Sequence, residues 1–291
     1  MNRRGVTLIE LMISMVISAA LIAAIYRTFL TQQSTYVVQD NVADMQQNVR
    51  VAVNEMMREI RMAGFGNVQS ILPVTIHGTT YANVINPDTP SPGAVTILAG
   101  LGGSATLTGF APLNVVTVSS LHTSSGKLLF DTGSRQFISL GGSECLAITG
   151  IAGNTLTLSG NVMTAFKTDP TADPTVNVVV PVSVFSIRAI TYSVLPDASV
   201  VLPDGSNPPV LKRNENLGGG NVTVADNIEN VAFQYLDGNG NPTGIPANIR
   251  TVRVTVTART ENKDPQLKAG AGDGYRRRQV ASSILLRNMG L

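Results

Sequence analysis

Residues Val6 to Tyr26 form an apolar run with a single charged member, Glu10. As a helix this run extends about 30 Å, the thickness of a bilayer's hydrocarbon core. Arg3 and Arg4 precede it, which by the positive-inside tendency sets the N-terminus in the cytoplasm and the remainder outside. A secretory signal places its apolar stretch before the cleavage site and loses it. Here the small residue suited to cleavage, Gly5, comes first. A cut after Gly5 therefore removes only residues 1–5 and leaves the helix on the mature chain.

Glu10 needs its own account. A carboxylate within an apolar span costs on the order of 2.5–3.5 kcal/mol on insertion scales, and less near an interface. Cleavage after Gly5 creates a positive α-amino group at Val6, one helical turn away on the same face. A first-turn carboxylate also suits the helix dipole. In a bundle of such helices, Glu10 can instead meet the amino group of a neighbouring subunit. The plainer alternative seats Glu10 at the headgroup level of an ordinary signal anchor.

The run Arg3-Arg4-Gly5-Val6-Thr7-Leu8-Ile9-Glu10-Leu11 resembles the prepilin leader of type IV pilins and type II secretion pseudopilins. The resemblance implies a prepilin peptidase that cuts after Gly5 and methylates Val6, with Glu10 serving assembly. Phe is the commonest residue after the cut in that family, so Val6 is a departure.

No Pro or Gly interrupts the chain from Val6 until Gly64. Met45, Val49, Ala52, Val53, Met56 and Ile60 recur at three- and four-residue steps with charged residues between them, predicting an amphipathic helix with one buried stripe. Gly64 and Gly66 are its stop signals. The Tyr36-x-x-Gln39 step and the helix end Arg61-x-x-Gly64-Phe65 are similar to PilW-type minor pilins.

After residue 67 the chain reads as short strands separated by Gly- and Pro-rich turns. Strands are predicted at 95–99, 115–121, 127–130, 137–140, 155–158, 176–184 and 280–286, with exposed loops at 169–174 and 203–209. From Arg250 to Arg259, Val252, Val254, Val256 and Ala258 alternate with Thr and Arg, the pattern of a half-buried antiparallel strand. Val231, Phe233 and Tyr235 alternate likewise. Residues 225–290 resemble both PilW-type and J-type pseudopilin heads.

Composition narrows the chemistry. Hydrophobic content of 43% with 14% charge excludes a wholly disordered chain. The formal charge of +2 includes Arg3 and Arg4, so the cleaved chain is near neutral and carries little footprint for nucleic acid. Cys145 is the one cysteine, which excludes an intrachain disulfide and leaves a buried thiol or an intermolecular bridge. Asp237, Asn239 and Asn241 copy the start of a calcium loop. Pro242 stands where that loop needs Gly and Asn248 where it needs Glu, so a hairpin turn is the plainer reading. Arg276-Arg277-Arg278 reads as a solvated strand start, the alternative being contact with DNA or an acidic partner. No phosphate-binding glycine loop, HExxH or GxSxG motif occurs, and no catalytic residue, cofactor or small-molecule substrate is expected.

The expectation is an α+β, pilin-like chain, with a β-rich insertion in its antiparallel head. The leader is 1–5, the transmembrane and filament-core helix 6–30, its amphipathic continuation 31–66, and the head 67–291. The resemblance implies a minor pilin of a type IV pilus tip or initiation complex, held in the inner membrane before assembly. Its partners would be the prepilin peptidase, other minor pilins, the major pilin and the inner-membrane assembly platform. The alternatives are a J-type minor pseudopilin of a type II secretion system and a signal-anchored periplasmic binding protein.

Overall fold

The computed structural model describes residues 7–110, 114–162, 182–202, 205–264, 267 and 272–289. Gly5, Val6, the expected loop 169–174 and positions 176–181 of an expected strand lie outside them. One helix, α1 (Leu8–Ile60), is followed by sixteen strands within the described residues. The chain divides into two compact units, Met1–Gln47 with Thr260–Arg276, and Asn48–Arg259 with Arg277–Leu291.

In the larger unit, the C-terminal part of α1 buries Val49, Ala52, Val53, Met56 and Ile60. This is the stripe that the sequence spacing predicts, and each of its Val, Met and Ile side chains contributes roughly 1.5–3 kcal/mol on burial. The helix stops where the chain needs a left-handed residue. Gly64 has φ +81° and its N–H donates to Leu98 O at 2.9 Å. A Cβ there would stand 2.5 Å from Asn288 O.

A small hairpin follows, β1 (Val74–Ile76) with β2 (Thr79–Tyr81). Next come β3 (Ile85–Pro87) and β4 (Val95–Ala99), an antiparallel pair in which every residue of β4 is buried. The chain then leaves this sheet for six strands: β5 (Ser104–Phe110), β6 (Val115–Val118), β7 (Phe137–Leu140), β8 (Glu144–Ala152), β9 (Thr155–Leu158) and β10 (Ser183–Ser186). β10 pairs with both β5 and β7, closing a barrel in the order β10-β5-β6-β9-β8-β7. The barrel has an apolar core of its own, including Leu107, Val116, Ile138, Leu156 and Val184.

The chain returns with β11 (Arg188–Pro196), which pairs directly with β4 (Arg188↔Ala99). The barrel is therefore an insertion into what is otherwise a β4–β11 hairpin. β12 (Pro209–Asn214) and β13 (Asn221–Asp226) complete a five-stranded sheet ordered β13-β12-β11-β4-β3. Last comes a meander of β14 (Ile228–Leu236), β15 (Thr251–Arg259) and β16 (Arg277–Leu285). Val252, Val254, Val256 and Ala258 of β15 are fully buried, while Arg253 on the other face is exposed. The helix meets both sheets: Glu59 bonds β11 and β12, and Ser282 of β16 donates to Met57 Sδ at 3.1 Å. This is an α+β, pilin-like arrangement of one long N-terminal helix on antiparallel sheets.

Two expectations are corrected. Residues 127–130 form no ladder strand. They close a tight turn through Thr123 N to Lys127 O and Leu129 N to Leu121 O, with one bridge at His122–Leu128, and bury Leu129 and Phe130 in the barrel core. The expected loop at 203–209 ends sooner, because Pro209 already starts β12 and the following Val210 and Leu211 are buried.

Candidate functional site

Thr7 starts the helix. Its carbonyl accepts from Glu10 N at 3.1 Å and Leu11 N at 3.2 Å, and its Oγ1 lies 3.4 Å from Glu10 N. Thr-x-x-Glu is the spacing of a capping box, a signal that the apolar reading of this segment passed over. Glu10 stands in the first turn, exposed, where a carboxylate complements the helix N-terminus.

Beyond it the apolar side chains are uncovered: Leu8 is 80% exposed, Met15 72% and Ile22 67%. The hydroxyls of this stretch turn back onto the helix. Ser14 donates to Leu11 O, Thr28 to Ala24 O and Thr31 to Arg27 O, at 2.9–3.0 Å. These three hydroxyls are thus satisfied within the helix. The helix is long and apolar enough to cross a membrane.

A prokaryotic N-terminal methylation motif matches residues 1–26. This motif marks a type IV pilin-like or pseudopilin precursor. No curated protein and no solved structure matches the chain. Pilin-like proteins of this kind are structural subunits rather than enzymes, processed by a prepilin peptidase and assembled with other pilins. The motif and the exposed apolar helix together anchor this pilin-like precursor in a membrane as a single-pass protein.

A feature of the pilin-like head that the sequence did not disclose is a partly buried charge network. Glu59, 5% exposed, comes from the last turn of α1. It accepts from Tyr192 Oη of β11 at 2.5 Å, and from Arg213 of β12 through Nε at 2.9 Å and Nη2 at 2.8 Å. Arg213 Nη1 also donates to Glu215 Oε1 at 3.0 Å. Glu215 receives Lys127 Nζ, from the barrel segment, at 2.7 Å, and Arg188 Nη1 at 3.3 Å. Helix, sheet and barrel are therefore joined by one chain of ion pairs. Burial and then the charge of Glu59 push the Tyr192 hydroxyl far above its ordinary range. Burial acts to raise the Glu215 carboxyl, but the hydrogen bonds and charges of Lys127 and Arg213 outweigh it and hold the group below its ordinary range. Arg188 is 1% exposed, and burial lowers its pKa against the pull of Glu215.

The residues of the calcium-like spacing do come together, as a turn. Asp237 Oδ1 accepts from Asn239 N at 2.8 Å and Asn241 N at 2.9 Å, and Asp237 N donates to Asn241 O. These donors, Asn241's first, hold the Asp237 carboxyl below its ordinary range. Among the described residues, no group of three or more His, Cys, Asp or Glu is placed to hold a metal ion. Within the basic run, Arg276 pairs with Asp264 and Arg277 with Glu229.

Proposed function

We propose that this chain is a PilW-type minor pilin, a structural subunit of the complex that primes a type IV pilus at its tip. The observation that carries the reading is the methylation motif, residues 1–26, running into a helix whose apolar side chains are exposed on every face. Such a surface needs lipid before assembly and neighbouring helices afterwards. The peptidase would hydrolyse the Gly5–Val6 bond and transfer a methyl group to the new Val6 amine. Residues 6–30 then form the filament core, 31–66 carry the helix into the head, and 67–291 stand outside the cytoplasm. Glu10 meets the Val6 amine of its own chain or a neighbour's and sets the stagger between helices, a use of buried charge in fixing register. The head, enlarged by an inserted barrel, suits a subunit present in few copies at a filament end.

Intact mass from cells with and without the prepilin peptidase tests the reading. Loss of Met1 to Gly5 with gain of one methyl group, only when the peptidase is present, is the expected result. A chain left uncut, or cut after the apolar stretch near residue 30, would overturn it.

A further inference from the structure

The closed barrel has no strand edge, but among the described residues the two larger open sheets have four, at β13, β3, β14 and β16. An unpaired edge is a template for another chain, and proteins blunt it with short strands, Pro or bulges. Three of these four are blunted. β3 spans three residues and ends in Pro87, and the pairings of β13 and β14 each carry a register shift. β16 is different. It runs nine residues without Pro or Lys and pairs with β15 in unbroken register, and its charged residues, Arg277 and Arg278, stand at its start.

Two hydrogen bonds fix which residues of β16 face its free side. Leu286 N donates to Arg250 O at 2.9 Å, and Arg259 N, turned toward β14, donates to Asn227 O at 2.9 Å. Alternation along an antiparallel ladder then points the N–H and C=O of Val280, Ser282 and Ile284 at β15, and those of Gln279, Ala281, Ser283 and Leu285 away from it. The side chains of the latter four are exposed, Leu285 by 64%. Arg253 of β15 reaches across toward this edge: it pairs in register with Ser283, and its Nε stands 3.5 Å from Ser283 Oγ. Neither Arg253 nor the exposed Arg278 has a carboxylate partner among the described residues.

We propose that an extended, acidic segment of a different protein adds to β16 as a fourth strand of this sheet. It runs antiparallel, the sense of both existing pairs. An apolar residue opposite Leu285 covers that side chain. Carboxylates opposite Ser283 and Arg278 answer the two guanidinium groups, the first through Arg253. A second copy of β16 does not supply this, because the strand contains no Asp or Glu and leaves both arginines unanswered in any register. The edge is open whether or not the chain enters a filament.

The probe is a dye-labelled peptide, Val-Thr-Glu-Val-Thr-Val-Thr-Glu, titrated into the full chain in detergent micelles and followed by anisotropy. Saturable binding is expected, with amide exchange slowed at Gln279, Ala281, Ser283 and Leu285 and unchanged at Val280 and Ser282, whose N–H groups are already bonded. The same peptide with Gln for both Glu should bind about fivefold more weakly, the scale of two solvent-exposed ion pairs. Ala281→Pro removes an N–H that only the added strand uses and should abolish binding, since Pro is tolerated where an edge N–H faces solvent. If that variant unfolds, Arg253→Glu decides: it should weaken binding of the Glu peptide and prefer one with Lys opposite Ser283. No binding, equal binding of the Gln peptide, or slowed exchange without the alternation along β16 would overturn the proposal. So would Ala281→Cys chains that cross-link to one another and exclude the peptide, since a second copy would then hold the edge.

Discussion

Glu59 is bound by three donor groups in a site almost closed to water, and single substitutions there should have unequal costs. Glu59→Ala leaves the Arg213 guanidinium without its buried partner, a change that typically costs about 3–5 kcal/mol. Tyr192→Phe removes one hydroxyl and leaves the Glu59–Arg213 pair intact, so about 1.5–3 kcal/mol is expected, the scale of one hydrogen bond to a charged group. Urea unfolding of the detergent-solubilised chain measures both, and equal losses would contradict this account of the network. Glu215 adds a pH dependence. Its folded-state pKa lies below the ordinary carboxylate value of about 4.3, so the unfolded chain takes up the proton first as pH falls. The stabilisation is complete above the ordinary value and drains away as pH drops through the folded one. Stability should decline below about pH 5, and less steeply in Glu215→Gln; identical slopes would remove Glu215 as a source. Cys145 is the simpler case. Burial pushes its thiol up to about 12, so iodoacetamide should modify it only after unfolding, and rapid reaction of the native chain would place the thiol at the surface instead. None of this network was legible in the sequence. Glu59 lies between Arg58 and Ile60 on a helix rich in charge, and only the sheet's arrival makes its face a buried one.

At the scale of elements, what could be read was whatever depends on neighbours in sequence. The helical stripe, β4, β7 and β9 stand where local pattern and turn residues put them, and β15 begins one residue inside its expected span. The barrel was not readable, because its closure needs β10 to find both β5 and β7 across long stretches of chain. β11 was missed because its first five residues are all buried and mix Arg188, Thr191 and Tyr192 with apolar residues, which hides a two-residue period. The insertion itself makes a prediction. Where the chain leaves and rejoins the sheet, Ser186 N donates to Gly103 O at 3.2 Å and Gly102 N to Ser186 O at 3.1 Å. The two ends already meet, so a short turn can replace residues 104–186 without moving β4 or β11. The shortened chain loses Lys127 from Glu215 and uncovers Ile187, and should be less stable but still folded. Slow amide exchange at Ile190, Leu211 and Val254 would show that the two sheets stand without the barrel. Exchange at the unfolded rate would show that they need it.

For the whole molecule, the N-terminal helix must satisfy two solvents in turn, and Glu10 is where their demands conflict. In lipid its carboxylate is a cost of roughly 2.5–3.5 kcal/mol at the span's centre and less at its edge, and its place in the first turn of α1 puts it at the edge. On the proposed reading the same carboxylate becomes useful among packed helices, because each neighbouring subunit would bring a terminal amine. An uncharged, nearly isosteric side chain separates the two stages. Glu10→Gln keeps the spacing from Thr7, eases membrane insertion and removes the charge that an amine would seek. The variant should be cut after Gly5 as efficiently as the parent and remain in the carbonate-resistant membrane fraction. Its share in sheared filaments should fall by tenfold or more, about 1.4 kcal/mol, since the lost pair would lie in a low-dielectric bundle where it cannot be replaced by water. Immunoblots of the membrane and sheared fractions from the same cells read both quantities. Parent-like incorporation would mean that helix packing alone sets the register and that Glu10 serves only the first turn of its own helix. Failed cleavage would instead place its role at the peptidase, before any filament forms.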